Sequence, residues 1–172
     1  MKLNLYIAGK VSKDSVFQTS DWRTSFCDAL SNKAGIDFVN LDPTKKESPE
    51  PWDAQYVFGS DCLSIQKADL VVAHLTDDIS VGGSQEMVIA KYFSKPLFAI
   101  APWGGKFRKV EAEVYGKMHS NFVHPFVGPC CDRIANDIDE LADQIKVWFG
   151  SVPPRRPSLF LISTRHVGMQ KM

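Results

Sequence analysis

The sequence predicts an α/β domain built on a parallel β-sheet, on three observations. Short apolar runs alternate along the chain with segments of helical periodicity. The run at residues 70–75 (LVVAHL) is almost continuously apolar, as expected for a strand covered on both faces. The periodic segments have about the ten to fifteen residues that suit the crossover helices of βαβ units. A chain of 172 residues fits one such domain.

The first part of the chain predicts two strands and two helices. Residues 3–8 form an apolar run that ends at a glycine, which predicts a first strand feeding a loop. Apolar residues recur every four positions after Asp21, a good N-cap, and predict a helix that ends at Gly35. Residues 36–41 predict a second strand, and residues 54–67 predict a second helix after a polar loop.

The alternation continues in the rest of the chain. The predicted elements are, in order, a strand at residues 70–75, a glycine-rich loop at 79–84, a helix at about 85–94, strands at 96–101 and 121–126, and a long amphipathic helix between Ile134 and Trp148. We therefore expect one three-layer domain over residues 1–150. Its sheet of about five parallel strands is flanked by helices, as in flavodoxin-like and Rossmann-like folds.

Composition limits the classes of partner. Twenty Lys and Arg residues balance twenty Asp and Glu residues, so no overall field directs the chain to a nucleic acid polymer or an anionic membrane. No apolar run approaches the ~20 residues of a membrane span and no signal peptide is evident, so we expect a cytoplasmic protein. Residues 151–172 are expected to be a tail or an arm that packs on a partner subunit, and the apolar patch at residues 159–162 favours the arm.

Cysteine and histidine spacing indicates neither a metal site nor a cofactor. The four cysteines form no CxxC pair, so we expect idle thiols in a reducing compartment. The four histidines are scattered, and no HExxH motif, Ser-His-Asp pattern or P-loop is present.

The glycine-rich loop is the first candidate for a binding site, because ligands bind outside the carboxyl ends of the strands in open α/β sheets. Gly82, Gly83 and Ser84 are expected to leave backbone N–H groups free at a helix N-terminus, which suits an anion. The hydroxyls of Ser80 and Ser84 add donors. A glycine-rich turn that serves only the chain reversal is the alternative.

A second candidate loop follows the first strand. Gly9, Lys10 and Ser12 suit a loop that meets a phosphate, and an exposed basic loop is the alternative. Tyr6 lies near the end of the same strand, where simple core packing is its alternative role.

Two carboxylates are candidates for catalysis. Glu86 is expected in the first turn of the helix after the glycine-rich loop, and Asp61 lies beside an apolar stripe of the preceding helix. Two carboxylates that converge on one pocket suit glycosyl transfer, one as the nucleophile and one for the proton or the leaving base. The alternative role of Glu86 is to complement the helix dipole, and the alternative for Asp61 is a position on a solvated helix face.

These motifs together resemble the nucleoside 2-deoxyribosyltransferase family, including its branch of 2'-deoxynucleoside 5'-monophosphate N-glycosidases. The resembling segments are YIAG at residues 6–9, DCLSIQKADLVVA at 61–73, SVGGSQEM at 80–87 and AKYFSKP at 90–96. Their order and spacing cover most of residues 1–149.

The resemblance implies a role for each candidate. Glu86 matches the nucleophile, Asp61 matches the aspartate that contacts the base and its departing nitrogen, and Tyr6 matches an aromatic residue near the sugar. Ser80 matches the serine that holds the phosphate in the monophosphate branch, where the transferases that act on free nucleosides carry an aspartate. This agrees with electrostatics, since an aspartate repels a phosphate and a hydroxyl attracts it. Gly82 matches a further phosphate contact.

The resemblance also implies an oligomer. Ser120 matches a serine that reaches the phosphate from a neighbouring subunit, which implies a homodimer or higher homo-oligomer. The chain departs from the branch in its first loop, where Lys10 and Ser12 stand in place of a serine and an arginine. The loop at residues 42–52 matches nothing in the family.

The resulting hypothesis is an enzyme that binds a small nucleotide or nucleoside. Glu86 attacks C1' of a 2'-deoxynucleoside 5'-monophosphate, the base leaves, and water releases deoxyribose 5-phosphate. Three alternatives stay open: base exchange on free deoxynucleosides, a nucleotide-binding module without chemistry, and a flavodoxin-like electron carrier. No aromatic-flanked, phosphate-rich loop of the kind that binds a flavin follows the first strand, which disfavours the electron carrier.

Overall fold

A computed structural model describes residues 1–10, 22–45, 53–76 and 78–150. The elements are, in chain order, β1 (Lys2–Ala8), α1 (Trp22–Ala34), β2 (Asp37–Asn40), α2 (Ala54–Lys67), β3 (Leu70–His74), α3 (Val81–Tyr92), β4 (Leu97–Ile100), β5 (Arg108–Val114), β6 (Lys117–Val123), β7 (Arg133–Ala135) and α4 (Ile138–Gly150). The predictions for Ser12, Asp21 and residues 151–172 lie outside the described residues.

The main sheet has five parallel strands in the order β2-β1-β3-β4-β7. This order reverses at β1 and β3, which are neighbours in the sheet, with Tyr6 beside Val71. The chain leaves these two strands toward opposite faces, so their carboxyl ends border the crevice where such sheets bind ligands. The fold class expected from the sequence is confirmed.

Two helical layers cover the sheet. One hydrophobic cluster joins α1 and α4 to Leu5 and Ile7 of β1, and a second joins α2 and α3 to Tyr6 and Ala8. Successive side chains of a strand point to opposite faces, so Tyr6 faces α2 and α3. Within the described ranges, no helix is long and apolar enough to cross a bilayer.

The predicted fifth strand at residues 121–126 is wrong. These residues overlap β6, which pairs antiparallel with β5 in a separate two-stranded hairpin. The fifth strand of the main sheet is β7, which pairs with β4. A strand of three residues is too short to show a periodic pattern, which is why the sequence did not reveal it.

Two helix starts also differ from the prediction. α3 begins at Val81 rather than near residue 85, because the Ser80 hydroxyl caps it by accepting the N–H of Gly83 at 3.0 Å. The glycines of the expected loop are therefore helical. α4 begins at Ile138, after Asp137, whose Oδ1 accepts the N–H groups of Asp139 and Glu140, and residue 134 belongs to β7.

Candidate active site

A buried tyrosine and a glutamate meet at the switch between β1 and β3. The hydroxyl of Tyr6 donates a hydrogen bond to Oε1 of Glu86 at 2.9 Å. Tyr6 is fully buried and Glu86 is half-buried. Burial, the charges of Glu86 and Asp61 and this hydrogen bond raise the pKa of Tyr6 well above its ordinary value, and Arg23 acts against them. Tyr6 is therefore a neutral phenol that donates to Glu86 and fixes one of its oxygens.

Glu86 lies in the second turn of α3, not the first, because that helix begins at Val81. Its carboxylate extends back toward the N-terminus of the helix. A methyl group placed on Gly82 would lie 4.0 Å from Oε1 of Glu86 and 3.9 Å from the Ser80 hydroxyl oxygen. The missing side chain of Gly82 thus opens a space that the Ser80 hydroxyl and the Glu86 carboxylate share, at the end of the helix whose dipole favours an anion.

Asp61 lies on α2, in the same helical layer as Glu86. The negative charges of Asp61 and Glu86 both raise the pKa of Tyr6, which indicates that both carboxylates lie around the phenol. Asp61 is half-buried. The structure therefore brings together the three residues that the resemblance implied for catalysis: Tyr6, Asp61 and Glu86.

The backbone of the α3 N-terminus offers fewer free donors than expected. The N–H of Gly83 donates to the Ser80 hydroxyl, and the N–H of Ser84 donates to the Ser80 carbonyl at 3.0 Å. The expectation that Gly83 and Ser84 leave these groups free is wrong, because the cap of the helix uses both. The Ser84 hydroxyl donates to the Val81 carbonyl at 2.8 Å. Among the donors at this end that bond to no other described residue are the Gly82 N–H and the Ser80 hydroxyl.

Gly9 has a packing role that the sequence did not suggest. A methyl group at this buried residue would lie 2.9 Å from Cη2 of Trp22 and 3.4 Å from Cβ of His74. Trp22 packs against the chain at this point, so only glycine fits here without a shift. The Gly9 carbonyl also accepts a hydrogen bond of 2.8 Å from Nη2 of Arg23.

Lys10 lies near the loop that follows β3. The pKa of the exposed Asp78 carboxyl is lowered first by a hydrogen bond from Lys106, and the charge of Lys10 adds a smaller effect. Lys10 and the start of α3 thus lie at the same edge of the sheet, where a cation helps to hold an anion.

Ser120 lies on the exposed hairpin. It stands directly across the strand pair from Glu111, and its hydroxyl makes no hydrogen bond to the side chain or backbone of another described residue. Within a single chain it is thus not part of the hydrogen-bonded Tyr6–Glu86 pair.

Sequence reasoning missed two buried polar residues at this edge. Arg23 is 2% exposed. His74 packs edge-to-face against Phe26 and at a tilt against Trp22, with its Nδ1 3.2 Å from the Thr76 hydroxyl oxygen. The signal for Arg23 was its spacing. It precedes Phe26 by three residues and thus falls on the apolar face of α1, where an exposed arginine is not expected.

The cysteines and the carboxylates give no sign of other chemistry. All four cysteines are free, and burial raises the pKa of Cys27 to about 11 and that of Cys131 to about 12. These two thiols are protonated at neutral pH and are poor nucleophiles. Across the described parts of the chain, no three His, Cys, Asp or Glu side chains are grouped so as to hold a metal ion.

A cavity of about 500 Å³ lies on the flank of α3 away from Glu86. Its lining is mainly apolar and consists of Ile79, Ser84, Gln85, Met87, Val88, Phe107, His124, Phe126, Val127 and Cys130. Tyr6, Asp61 and Glu86 do not line this cavity, so it is separate from the candidate catalytic cluster.

Comparison with known proteins places the fold. No family model and no curated protein sequence matches the chain. A conserved protein from Enterococcus faecalis V583 matches with a TM-score of 0.59 at 17% identity, over 86% of this chain and 99% of that one. A 2-desoxiribosyltransferase from Leishmania mexicana matches with a TM-score of 0.54 at 19% identity, over 84% of this chain and 97% of that one. The chain has the fold of a 2-desoxiribosyltransferase.

A third solved structure, a CMP N-glycosidase from Clostridium botulinum, matches with a TM-score of 0.47 at 15% identity, over 84% of this chain and 98% of that one. The first two likenesses agree with the fold that the sequence resemblance implied. At these identities they concern the fold, and the activity has to be argued from the side chains of the site.

Proposed function

We propose that the protein cleaves the N-glycosidic bond of (2'-deoxy)nucleoside 5'-monophosphates and releases the free base and (deoxy)ribose 5-phosphate. The observation that carries this proposal is the hydrogen bond from the buried Tyr6 hydroxyl to Glu86. It holds a carboxylate at the carboxyl edge of the sheet, with Asp61 in the same layer. The fold that the chain shares with a 2-desoxiribosyltransferase supports the same chemistry.

The reaction has two displacements at one carbon. In the first, a Glu86 oxygen attacks C1' from the face opposite the base, and the electrons of the C1'–N bond pass to the base nitrogen. A proton or hydrogen bond at the Asp61 side stabilises the departing base. In the second, a water molecule attacks C1' of the glycosyl-enzyme and restores the Glu86 carboxylate. One water molecule is consumed for each base released.

The N-terminus of α3 supports a phosphate as the second recognition point. The Ser80 hydroxyl and the Gly82 N–H lie at this helix end, next to the space that Gly82 leaves open beside Glu86. Both are donors for an anion, the helix dipole favours negative charge there, and Lys10 supplies a cation at the same edge. A serine at position 80 brings no charge that would repel a phosphate.

The proposed active form is a homodimer in which the hairpin of one subunit approaches α3 of the other. Val81, Val88 and Tyr92 form an exposed stripe along α3, with 76%, 56% and 72% of each residue accessible. Such apolar stripes mark protein contacts. The isolated hairpin carries Ser120, and two-stranded hairpins are marginally stable without support. Glu111 lies across from Ser120, so we expect Ser120 to contribute less to phosphate binding than Ser80.

Sedimentation analysis tests the dimer. We expect a dimer for the unmodified chain and a monomer for Val88→Lys, which places a charge in the stripe. A monomeric unmodified chain that releases base at full rate contradicts the dimeric site.

Incubation with ribo- and deoxynucleosides and their 5'-monophosphates tests the activity, with released base measured by chromatography. We expect base release from the monophosphates, and a loss of several orders of magnitude in Glu86→Gln. Asp143→Asn, which neutralises an exposed carboxylate of α4 in the opposite helical layer, is the control and keeps full activity. Full turnover by Glu86→Gln would refute the assignment.

The same incubation separates the other functions. A second free base in the mixture detects transfer, because a transferase forms a new nucleoside or nucleotide with it. Tight binding without base release, even at high protein concentration, identifies a binding module.

A further inference from the structure

Arg23 is a buried cation on the face of the sheet opposite to Tyr6. It lies on α1, is 2% exposed, and its guanidinium stacks on Trp22 at 4.5 Å. Nε donates to the carbonyl of Ile7 at 3.1 Å, and Nη2 donates to the carbonyl of Gly9 at 2.8 Å. The two carbonyls lie on either side of Ala8, the last residue of β1, and Ile7 directly follows Tyr6. Both bonds therefore hold the end of the strand that carries Tyr6.

The negative charges around Arg23 lie on Asp42 and on two carboxylates of the candidate site, Glu86 and Asp61. Burial lowers the pKa of Arg23, and these three charges act to raise it, with Asp42 the strongest. An arginine stays protonated under such conditions, so Arg23 places a full positive charge near these groups.

The Asp42 carboxylate attracts the Arg23 guanidinium but forms no ion pair with it. It is 8% exposed, and its Oδ1 accepts the N–H and the hydroxyl of Thr44 at 2.9 and 2.7 Å. Its Oδ2 has no hydrogen-bond partner among the described residues. Nε of Arg23 bonds to the carbonyl of the residue after Tyr6, and Tyr6 bonds to Glu86, so the Arg23 charge lies close to this carboxylate.

We propose that Arg23 is a positioning residue of the candidate active site: its charge keeps Glu86 in the carboxylate form, and its hydrogen bonds fix the strand end that carries Tyr6. This rests on the proposed function of Glu86 as a nucleophile. Among the described residues, the charged and titratable groups that face Glu86 include Tyr6 from β1, Asp61 from α2 and Arg23 from α1. Asp61 opposes the ionisation of Glu86, and Arg23 favours it.

Titration of the Glu86 carboxyl by ¹³C NMR tests this without relying on activity. Protein labelled at the glutamate side-chain carboxyl carbon is used, and Glu86→Gln assigns the signal. Arg23→Met removes the cation, so we expect Glu86 to titrate about one pH unit higher. Asp42→Asn removes the competing negative charge and keeps the Thr44 bonds, so we expect a shift of about half a unit in the opposite direction. Arg23→Lys retains a cation and should shift Glu86 by less than Arg23→Met.

The pH profile of kcat/KM is the second measurement. A carboxylate nucleophile loses activity as the pH falls through its pKa, so the acidic limb should move to higher pH in Arg23→Met and to lower pH in Asp42→Asn. A purely structural role of Arg23 would lower stability without moving the limb. If the protein releases no base, the proposed function fails, and the NMR titration still decides the role of Arg23. The proposal is overturned if Glu86 titrates unchanged in both Asp42→Asn and Arg23→Met. If Arg23→Met does not fold, an unchanged titration in Asp42→Asn overturns it.

Discussion

Replacing Tyr6 by phenylalanine removes one oxygen from the centre of the candidate site. The ring stays fully buried between β1 and the layer of α2 and α3, so the packing of the core changes little. The lost interaction is the 2.9 Å hydrogen bond to Oε1 of Glu86, in which a neutral donor meets a charged acceptor. Bonds of this kind contribute about 1.5–3 kcal/mol.

That energy sets the size of the expected effect. If the bond holds Glu86 in the geometry for attack, its loss lowers kcat/KM by about 10- to 100-fold, since about 1.4 kcal/mol corresponds to a factor of ten. The bond also stabilises the carboxylate, so its loss raises the pKa of Glu86 and moves the acidic limb of the pH profile upward. The folding stability should fall by about 1.5–3 kcal/mol, because this is the net contribution of a hydrogen bond to a charged acceptor.

The assay is base release from a nucleoside 5'-monophosphate over a range of pH, with urea unfolding of the same preparations. Tyr115→Phe is the matched control, since it deletes the same hydroxyl from a fully exposed residue at the turn of the hairpin. We expect unchanged kinetics for this control. A Tyr6→Phe variant with undiminished kcat/KM and an unmoved acidic limb would show that the hydrogen bond does not hold the nucleophile.

Three further changes test the surroundings of Glu86. Ser80→Asp keeps a good helix cap but places a negative charge at the proposed phosphate position. The kcat/KM for monophosphates should therefore fall about 100-fold or more, while that for free nucleosides changes little, and equal losses for both would contradict the assignment. Gly82→Ala adds a methyl group 4.0 Å from Oε1 of Glu86, so stability should rise by up to about 1 kcal/mol in urea unfolding while kcat/KM falls about tenfold. Unimpaired activity in this variant means that the space beside the carboxylate is not used by substrate. Gly9→Ala drives a methyl group to within 2.9 Å of the Trp22 ring and should cost about 1–3 kcal/mol of unfolding free energy, and an unchanged unfolding midpoint speaks against that packing role.

The parallel sheet was predictable where strands are buried on both faces. Residues 70–74 of β3 are all buried, and their continuous apolar run predicted a central strand correctly. The hairpin of β5 and β6 is exposed along most of its length, so it has no buried face to give a pattern. The short strand β7 was missed because three residues, of which only Ala135 is fully buried, cannot show a period.

The candidate site was predictable as far as residue types and chain order determine it. Tyr6, Asp61 and Glu86 follow from the resemblance, and the order of the strands brings them to one side of the sheet. The use of the Gly83 N–H by the Ser80 cap depends on where α3 begins, and the sequence placed that start four residues too late. The burial of Arg23 was readable from its spacing on α1, but its hydrogen bonds to the Ile7 and Gly9 carbonyls join two separate segments, which no local pattern reveals.

The proposed mechanism requires a covalent bond between Glu86 and the sugar, which the intact mass of the protein can detect. A nucleoside 5'-monophosphate with fluorine at C2' destabilises the oxocarbenium-like transition states and lets the glycosyl-enzyme accumulate. We expect one added fluorosugar phosphate per chain, located by peptide mapping at Glu86 and absent from Glu86→Gln. An adduct on another residue, or the same adduct in Glu86→Gln, would contradict the account.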